Sequence, residues 1–151
     1  MLRKESKADT WILSWIEAWG NSVVQYAFSI VLSESIAQDI AQEAFRRLDK
    51  AHRQDPTHVF DPAWLFSLVR SLTLARKTSS RTVIVDDDQE NLDHHTYRAI
   101  WQKMDPLDRE TAWLFYYLKW PIKRIALHSN QTVSEVQSRL LRTQQRLGGM
   151  N

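Results

Sequence analysis

Near the C-terminus, Ser134, Gln137, Ser138, Arg139, Arg142 and Arg146 stand at helical spacing, small polar groups first and arginines after. Hydroxyls and amides hydrogen-bond base edges, and guanidinium groups hold phosphates. Such a row suits the major groove of duplex DNA. Earlier in the chain, Trp64, Arg70, Arg76 and Lys77 set an aromatic ring near bases. Aromatics beside bases stack unpaired nucleotides and hold their backbone; the same residues cap a small core equally well. A third set, Asp39, Gln42, Glu43 and Arg46, offers an acid, an amide and an acid over one helical turn. Taken alone, such a face is more often solvated than used for docking.

The C-terminal row requires a helix to carry it. Pro121 suits the first turn of a helix, where no backbone donor is needed. Ile122, Ile125 and Ala126 share one face, and small Ala126 allows a second helix to cross closely. His128-Ser129-Asn130 makes a turn, because Asn accepts a left-handed backbone better than most residues. Thr132 starts the next helix, with Glu135 at capping-box spacing. Val133, Val136, Leu140, Thr143 and Leu147 form its inner face. The pattern predicts a helix-turn-helix. A helical hairpin with a solvated basic face shares it.

The rest of the chain also reads as helices. Ile12, Trp15, Ile16, Trp19, Val23, Tyr26, Ala27 and Ile30 keep the helical period over 10–32, in one piece or two joined at Gly20-Asn21. The tryptophan stripe has the spacing of a buried face rather than of a ligand platform. A second helix is predicted over 33–50, with Ser35 and Gln38 as its capping pair and Ile36, Ile40, Ala44, Phe45 and Leu48 inside. A polar loop over 51–61 ends in Asp61-Pro62, a cap followed by a first-turn proline. The helix over 62–77 turns Leu65, Leu68, Val69 and Leu72 inward and leaves Trp64, Phe66 and Arg70 partly exposed.

Residues 81–95 hold one base against five acids and read as a flexible linker. Within it, Thr82-Val83-Ile84-Val85 is too short for a sheet. Asp86-Asp87-Asp88 with His94-His95 matches no calcium or zinc spacing. A helix over 96–104 follows, with Tyr97, Ile100 and Trp101 inside. Asp105-Pro106 restarts the chain into a helix carrying Leu107, Thr111, Leu114, Phe115 and Leu118.

Composition bounds the rest. The 151 residues include three glycines, four prolines, seven tryptophans and no cysteine. Long runs free of glycine and proline predict an all-α protein. The expected layout is two small helical domains, 1–79 and 96–151, joined by the linker 80–95. Net charge is +2, yet residues 96–151 carry nine Lys/Arg against four acids, so the basic end suits phosphate. No thiol, glycine-rich phosphate loop or metal-spaced cluster is present in the sequence, which argues against an enzyme and implies no cofactor and no metal site. No apolar run is long enough to span a bilayer, and a signal-peptide core is lacking. The absence of cysteine fits a reducing cytoplasm.

The ordered set of motifs resembles a bacterial RNA polymerase sigma factor of the extracytoplasmic-function (ECF) group of the sigma-70 family. Ala37-Gln38-Asp39-Ile40-Ala41-Gln42-Glu43-Ala44-Phe45 resembles the family's A-x-D-x-x-Q-E-x-F helix. Phe60-Asp61-Pro62-Ala63-Trp64-Leu65-Phe66-Ser67-Leu68-Val69-Arg70 resembles its F-x-x-W-L-x-x-I-x-R-N helix. Met104-Asp105-Pro106-Leu107-Asp108-Arg109-Glu110 resembles the L-P-x-x-x-R-E start of region four, and residues 120–126 with 133–140 resemble its helix-turn-helix. The likeness covers almost the whole chain, in order.

The resemblance implies roles. Asp39, Gln42, Glu43 and Arg46 would dock region two on the clamp helices of core RNA polymerase. The loop 53–61 and the helix 62–77, with Trp64, Arg70, Arg76 and Lys77, would open the minus-ten element of promoter DNA and hold its flipped base. Thr132, Ser134, Gln137, Ser138, Arg139 and Arg142 would meet the minus-thirty-five element. An anti-sigma factor is a further partner the family implies. Ser71 stands where the family usually has Asn, Ala75 where Asp is common, and Asn130 where the turn often has Gly. A helix-turn-helix regulator that never contacts core polymerase, and a sigma-like protein that melts DNA only with a partner subunit, are the competing readings.

Overall fold

Ser6 starts the first helix. Its hydroxyl accepts from the Asp9 amide at 3.2 Å, and the Asp9 carboxylate accepts from the Ser6 amide at 3.3 Å, a reciprocal capping box. The computed structural model describes residues 6–79, 99 and 101–148. By contacts the chain divides into two units, Met1–Val83 and Ile84–Asn151. Among the described residues there is no strand.

The N-terminal unit packs three helices. Helix α1 (Lys7–Val31) runs unbroken through Gly20. A Cβ there would meet only Ile16 Cγ2, at 3.6 Å, so no close approach demands the glycine. The chain turns at Leu32, whose φ of 54° is left-handed and whose amide donates to the Phe28 carbonyl at 2.8 Å. Helix α2 (Glu34–Gln54) is capped by Ser33, whose hydroxyl accepts from the Ile36 amide at 3.3 Å. The cap thus lies two residues before the expected Ser35. The reversal at Leu32 puts Ser33 in the extended conformation that a cap requires. Helix α2 also outlasts its expected end at residue 50. His52 is buried and stacks on Trp11, with ring centroids 3.8 Å apart and planes 4° apart, a contact that extends the helix by a turn.

Helix α3 (Pro62–Ser79) begins as predicted: the Asp61 carboxylate accepts from the Ala63 amide at 2.9 Å. Leu65, Phe66, Val69 and Thr73 are fully buried. The expectation that Phe66 is partly exposed is therefore corrected. Its ring is wedged edge-on against Trp19 and Tyr26, because α3 packs against both α1 and α2. Leu68 and Leu72, expected inside, are half-buried.

In the C-terminal unit, residues 101–103 form a helical turn that leads to buried Met104. Tyr97, Ile100 and the linker 80–95 lie outside the described residues, and Trp101 is half-buried. Asp105 caps α4 (Pro106–Tyr116), accepting from the Leu107 amide at 2.8 Å, with Pro106 in the first turn. Helix α4 buries Asp108, Arg109, Glu110, Thr111, Ala112, Trp113 and Leu114 in succession. Lys119 takes a left-handed backbone (φ 58°) and redirects the chain into α5 (Ile122–His128). A tight turn leads to α6 (Val133–Gly148). Asn130 holds the left-handed conformation expected of it (φ 55°), and the Gln131 amide donates to the Ala126 carbonyl at 2.9 Å. Ile125, Ala126, Val136, Leu140 and Thr143 make the core between these helices. Val133, expected on the inner face, is instead 39% exposed, at the first residue of α6. No helix among the described residues is long and apolar enough to cross a membrane.

Candidate nucleic-acid interface

On α2, Asp39, Gln42 and Arg46 are exposed and Glu43 is half-buried. The face is internally neutralised rather than simply acidic. Glu43 accepts from Arg46 Nη2 at 2.6 Å, from Arg46 Nε at 2.9 Å and from Arg47 Nε at 2.9 Å. These two guanidinium groups hold its carboxyl well below the ordinary range, at about 2. A depressed acid contributes stability that is fully present above its unfolded pKa and is lost as pH falls through its folded one. The Glu43 contribution should therefore fade only between about 4.5 and about 2. A side-chain NMR titration should find the Glu43 midpoint near the lower value. The double variant Arg46→Ala/Arg47→Ala should return it toward the upper one. A wild-type midpoint above 4 would contradict the paired geometry.

Asp39 pairs across helices with Arg76 on α3, at 3.5 Å. Two sets that the sequence kept apart, the polar face of α2 and the cations of α3, are thus joined. Trp64 is 38% exposed and meets Phe60 edge-on, with centroids 5.1 Å apart. Phe60 in turn contacts His58 and Trp11, and Trp11 stacks on His52. An aromatic cluster therefore surrounds the loop 55–61. Arg53 anchors the loop from behind: it pairs with Asp9 at the start of α1 and with Asp49 at 3.0 Å. Arg70 is half-buried, Arg76 is exposed, and the Lys77 side chain lies outside the described residues. Ser71 donates its hydroxyl to the Ser67 carbonyl at 3.1 Å, within its own helix. Sequence reasoning missed Trp11, His52, His58 and Phe60 as one group. The four-residue step from Phe60 to Trp64 was its one visible signal.

On α6, Thr132 accepts from the Glu135 amide at 3.1 Å, and Ser134, Gln137, Ser138 and Arg142 are exposed. Ser134, Glu135, Ser138, Arg139 and Arg142 line an open depression of about 290 Å³. Arg139 differs from the others, with its side chain only 19% exposed. Its Nη1 donates to Asp108 at 2.7 Å and its Nε to Gln131 at 2.7 Å. Arg142 also donates to Asp108, at 3.0 Å, from a side chain that is 52% exposed. Arg124 lies over the Trp120 ring at 4.1 Å, so the short helix α5 also shows a cation beside an aromatic. Among the described residues no group of three or more His, Asp or Glu is placed to hold a metal ion.

The geometry is that of a three-helix unit with an aromatic-rimmed loop and of a separate helix-turn-helix with a basic row. Residues 15–82, most of the first unit, match sigma-70 region 2. That match shows a sigma-70 region 2 domain in the chain. In fold the chain is similar to the sigma factor RpoE solved in complex with the anti-sigma factor NepR from Bartonella quintana. The likeness covers 89% of this chain and 92% of that one, with a TM-score of 0.67 and 16% identity. No curated protein matches the sequence.

Proposed function

We propose that the chain is a sigma factor that binds core RNA polymerase and directs promoter-specific initiation, with each unit carrying one part of the task. The match of residues 15–82 to region 2 is the observation that carries this reading. Asp39, Gln42, Glu43 and Arg46 are the docking face for core polymerase. The Glu43–Arg46 pair presents a charge-assisted, two-point contact on that face. Trp64, Arg70, Arg76 and Lys77 are the minus-ten set. Half-exposed Trp64, at the rim of the aromatic cluster, is supported as the stacking surface for an unpaired base. Binding the single strand better than the duplex offsets unstacking, which costs about a few kcal/mol per base.

Thr132, Ser134, Gln137, Ser138, Arg139 and Arg142 are the minus-thirty-five set on the duplex. Promoter DNA and core polymerase are thus the partners, with an anti-sigma factor as the regulatory one, as in the RpoE–NepR complex.

Reconstitution tests the reading: the full chain plus core polymerase on a pool of promoter fragments, with core binding read in parallel. Core binding with specific start sites is the expected result. Duplex binding without core binding would assign the chain to stand-alone regulators instead. On the promoters recovered, Gln137→Ala should alter the preference among sequences. Arg142→Ala should weaken all of them and lower the salt slope by about 1. Uniform loss from Gln137→Ala would remove it from the base-reading set.

A further inference from the structure

Asp108 is the buried carboxylate that faces the α6 row. It lies in the first turn of α4 at 3% exposure, and its Oδ1 accepts from Arg139 Nη1 at 2.7 Å and from Arg142 Nη2 at 3.0 Å. The contacts continue from Arg139. Its Nε donates to Gln131 Oε1 at 2.7 Å. Gln131 Nε2 donates to Ser129 Oγ at 2.7 Å and reaches Thr111 Oγ1 at 3.4 Å. Ser129 Oγ donates to the Ile125 carbonyl at 2.6 Å. One polar chain therefore joins α4, the end of α5, the turn and α6.

The apolar contacts of Val136 and Leu140 hold α6 in place but are non-directional, so alone they tolerate small rotations about the helix axis. Charge-assisted hydrogen bonds are directional and short. Two of them, from residues three apart on α6, converge on one oxygen and set both the rotation and the height of that helix against α4. The bonds of Arg139, whose side chain is only 19% exposed, also withhold its guanidinium from phosphate, whereas Arg142 is 52% exposed.

We propose that Asp108 is a positioning residue that sets sequence specificity: it orients α6 so that Ser134, Gln137 and Ser138 meet base edges, and it restrains Arg139 from indiscriminate phosphate binding. This rests on the duplex-reading role proposed above for α6. A carboxylate beside a phosphate-facing row lowers general affinity for DNA, and discrimination is what that loss yields.

The test uses the full chain and two duplexes: the sequence that the wild-type chain enriches from a random pool, and a scrambled version of it. Binding of each is followed against salt concentration, and far-UV circular dichroism checks the fold of every variant. Asp108→Asn should bind the scrambled duplex more tightly than wild type does. Its salt slope should steepen by about 0.9 as the released Arg139 guanidinium finds a phosphate. The preference for the enriched duplex should fall about tenfold, the size of one lost base contact. Asp108→Glu should recover part of that preference. Gln131→Met breaks the chain at an uncharged link, so it should lower the preference and leave the slope as in wild type. It stands in for Asp108→Asn if that variant fails to fold. Weaker binding to both duplexes with an unchanged slope would mean that Asp108 only supports the fold and would overturn the inference, as would an unchanged preference. If the wild-type chain enriches no duplex at all, the reading of α6 falls and this inference with it.

Discussion

Phe66→Ala is expected to cost the N-terminal unit about 3–5 kcal/mol, the range for emptying a phenylalanine site in a packed core. Phe66 is fully buried. Its ring meets Trp19 at 5.8 Å and 85° and Tyr26 at 5.4 Å and 62°, both edge-to-face. Such pairs add about 0.5–1.5 kcal/mol beyond the area they bury. Both partners are bulky residues of one helix, α1, so the space left cannot close by a rotamer change alone. Domain stability is only about 5–15 kcal/mol, so the variant should be close to unfolding at physiological temperature. Urea denaturation, with amide exchange followed in α1, α2 and α3, measures the loss. Trp64, two residues earlier on the same helix but 38% exposed, supplies the contrast. Trp64→Ala should cost less than Phe66→Ala, about 1–2 kcal/mol, for the part of the ring packed on Phe60. On the proposed reading it should also weaken open-complex formation by about tenfold or more, since stacking on an unpaired base is worth about 1–3 kcal/mol. A Phe66→Ala protein within about 1 kcal/mol of wild type would show that this ring does not hold α3 to α1.

Arg109→Met is the second large effect, expected to cost the C-terminal unit about 3 kcal/mol. Arg109 is a charged side chain at only 4% exposure. Its Nη1 donates to the Met104 carbonyl at 2.6 Å and to the Trp101 carbonyl at 3.2 Å, and so closes the chain that leads into α4. Burial pushes the guanidinium down to about 10, while Asp105 pulls the other way, so it stays charged at neutral pH. Methionine fills much of the same volume but removes this donor from both carbonyls; the Trp101 carbonyl keeps the Met104 amide at 3.3 Å, while the buried Met104 carbonyl loses its 2.6 Å partner. Losing a buried partner costs about 1–3 kcal/mol. Arg109→Lys should fall between the two, because an ammonium is a point donor without the guanidinium's planar fork. The sign of any pH effect follows from the lowered value. The folded group releases its proton before the unfolded one does, so its contribution is flat near neutrality and turns more favourable only above about 10. Thermal unfolding followed at Trp113, which lies within α4, reports the loss. An unshifted midpoint for Arg109→Met would mean that the carbonyls find other donors.

Much of the helical layout was legible because its signals act within one turn. Asp61-Pro62 and Asp105-Pro106 start helices because a carboxylate caps the second amide on and proline needs no donor there. The turn between α5 and α6 was legible for the same reason, since Asn130 can hold a positive φ and Thr132 can cap a helix by itself. The exposed row Ser134, Gln137, Ser138 and Arg142 followed directly from helical periodicity.

What lay beyond one turn was not legible. The end of α2 depends on the stack of His52 against Trp11, and the burial of Phe66 depends on two partners from α1. Asp108, Arg109 and Glu110 form a charged triplet that any hydropathy pattern sends to the surface, yet all three are buried. A charge is tolerated inside only when its partners are at hand. Those partners are Arg139 and Arg142 for Asp108, two backbone carbonyls for Arg109, and His128, 3.9 Å away, for Glu110. The sequence by itself thus determined where helices begin and which residues of α6 face outward. Only the tertiary structure decided that Arg139 and Arg142 share one carboxylate, because that choice joins residues 31 and 34 positions apart and no local spacing encodes it.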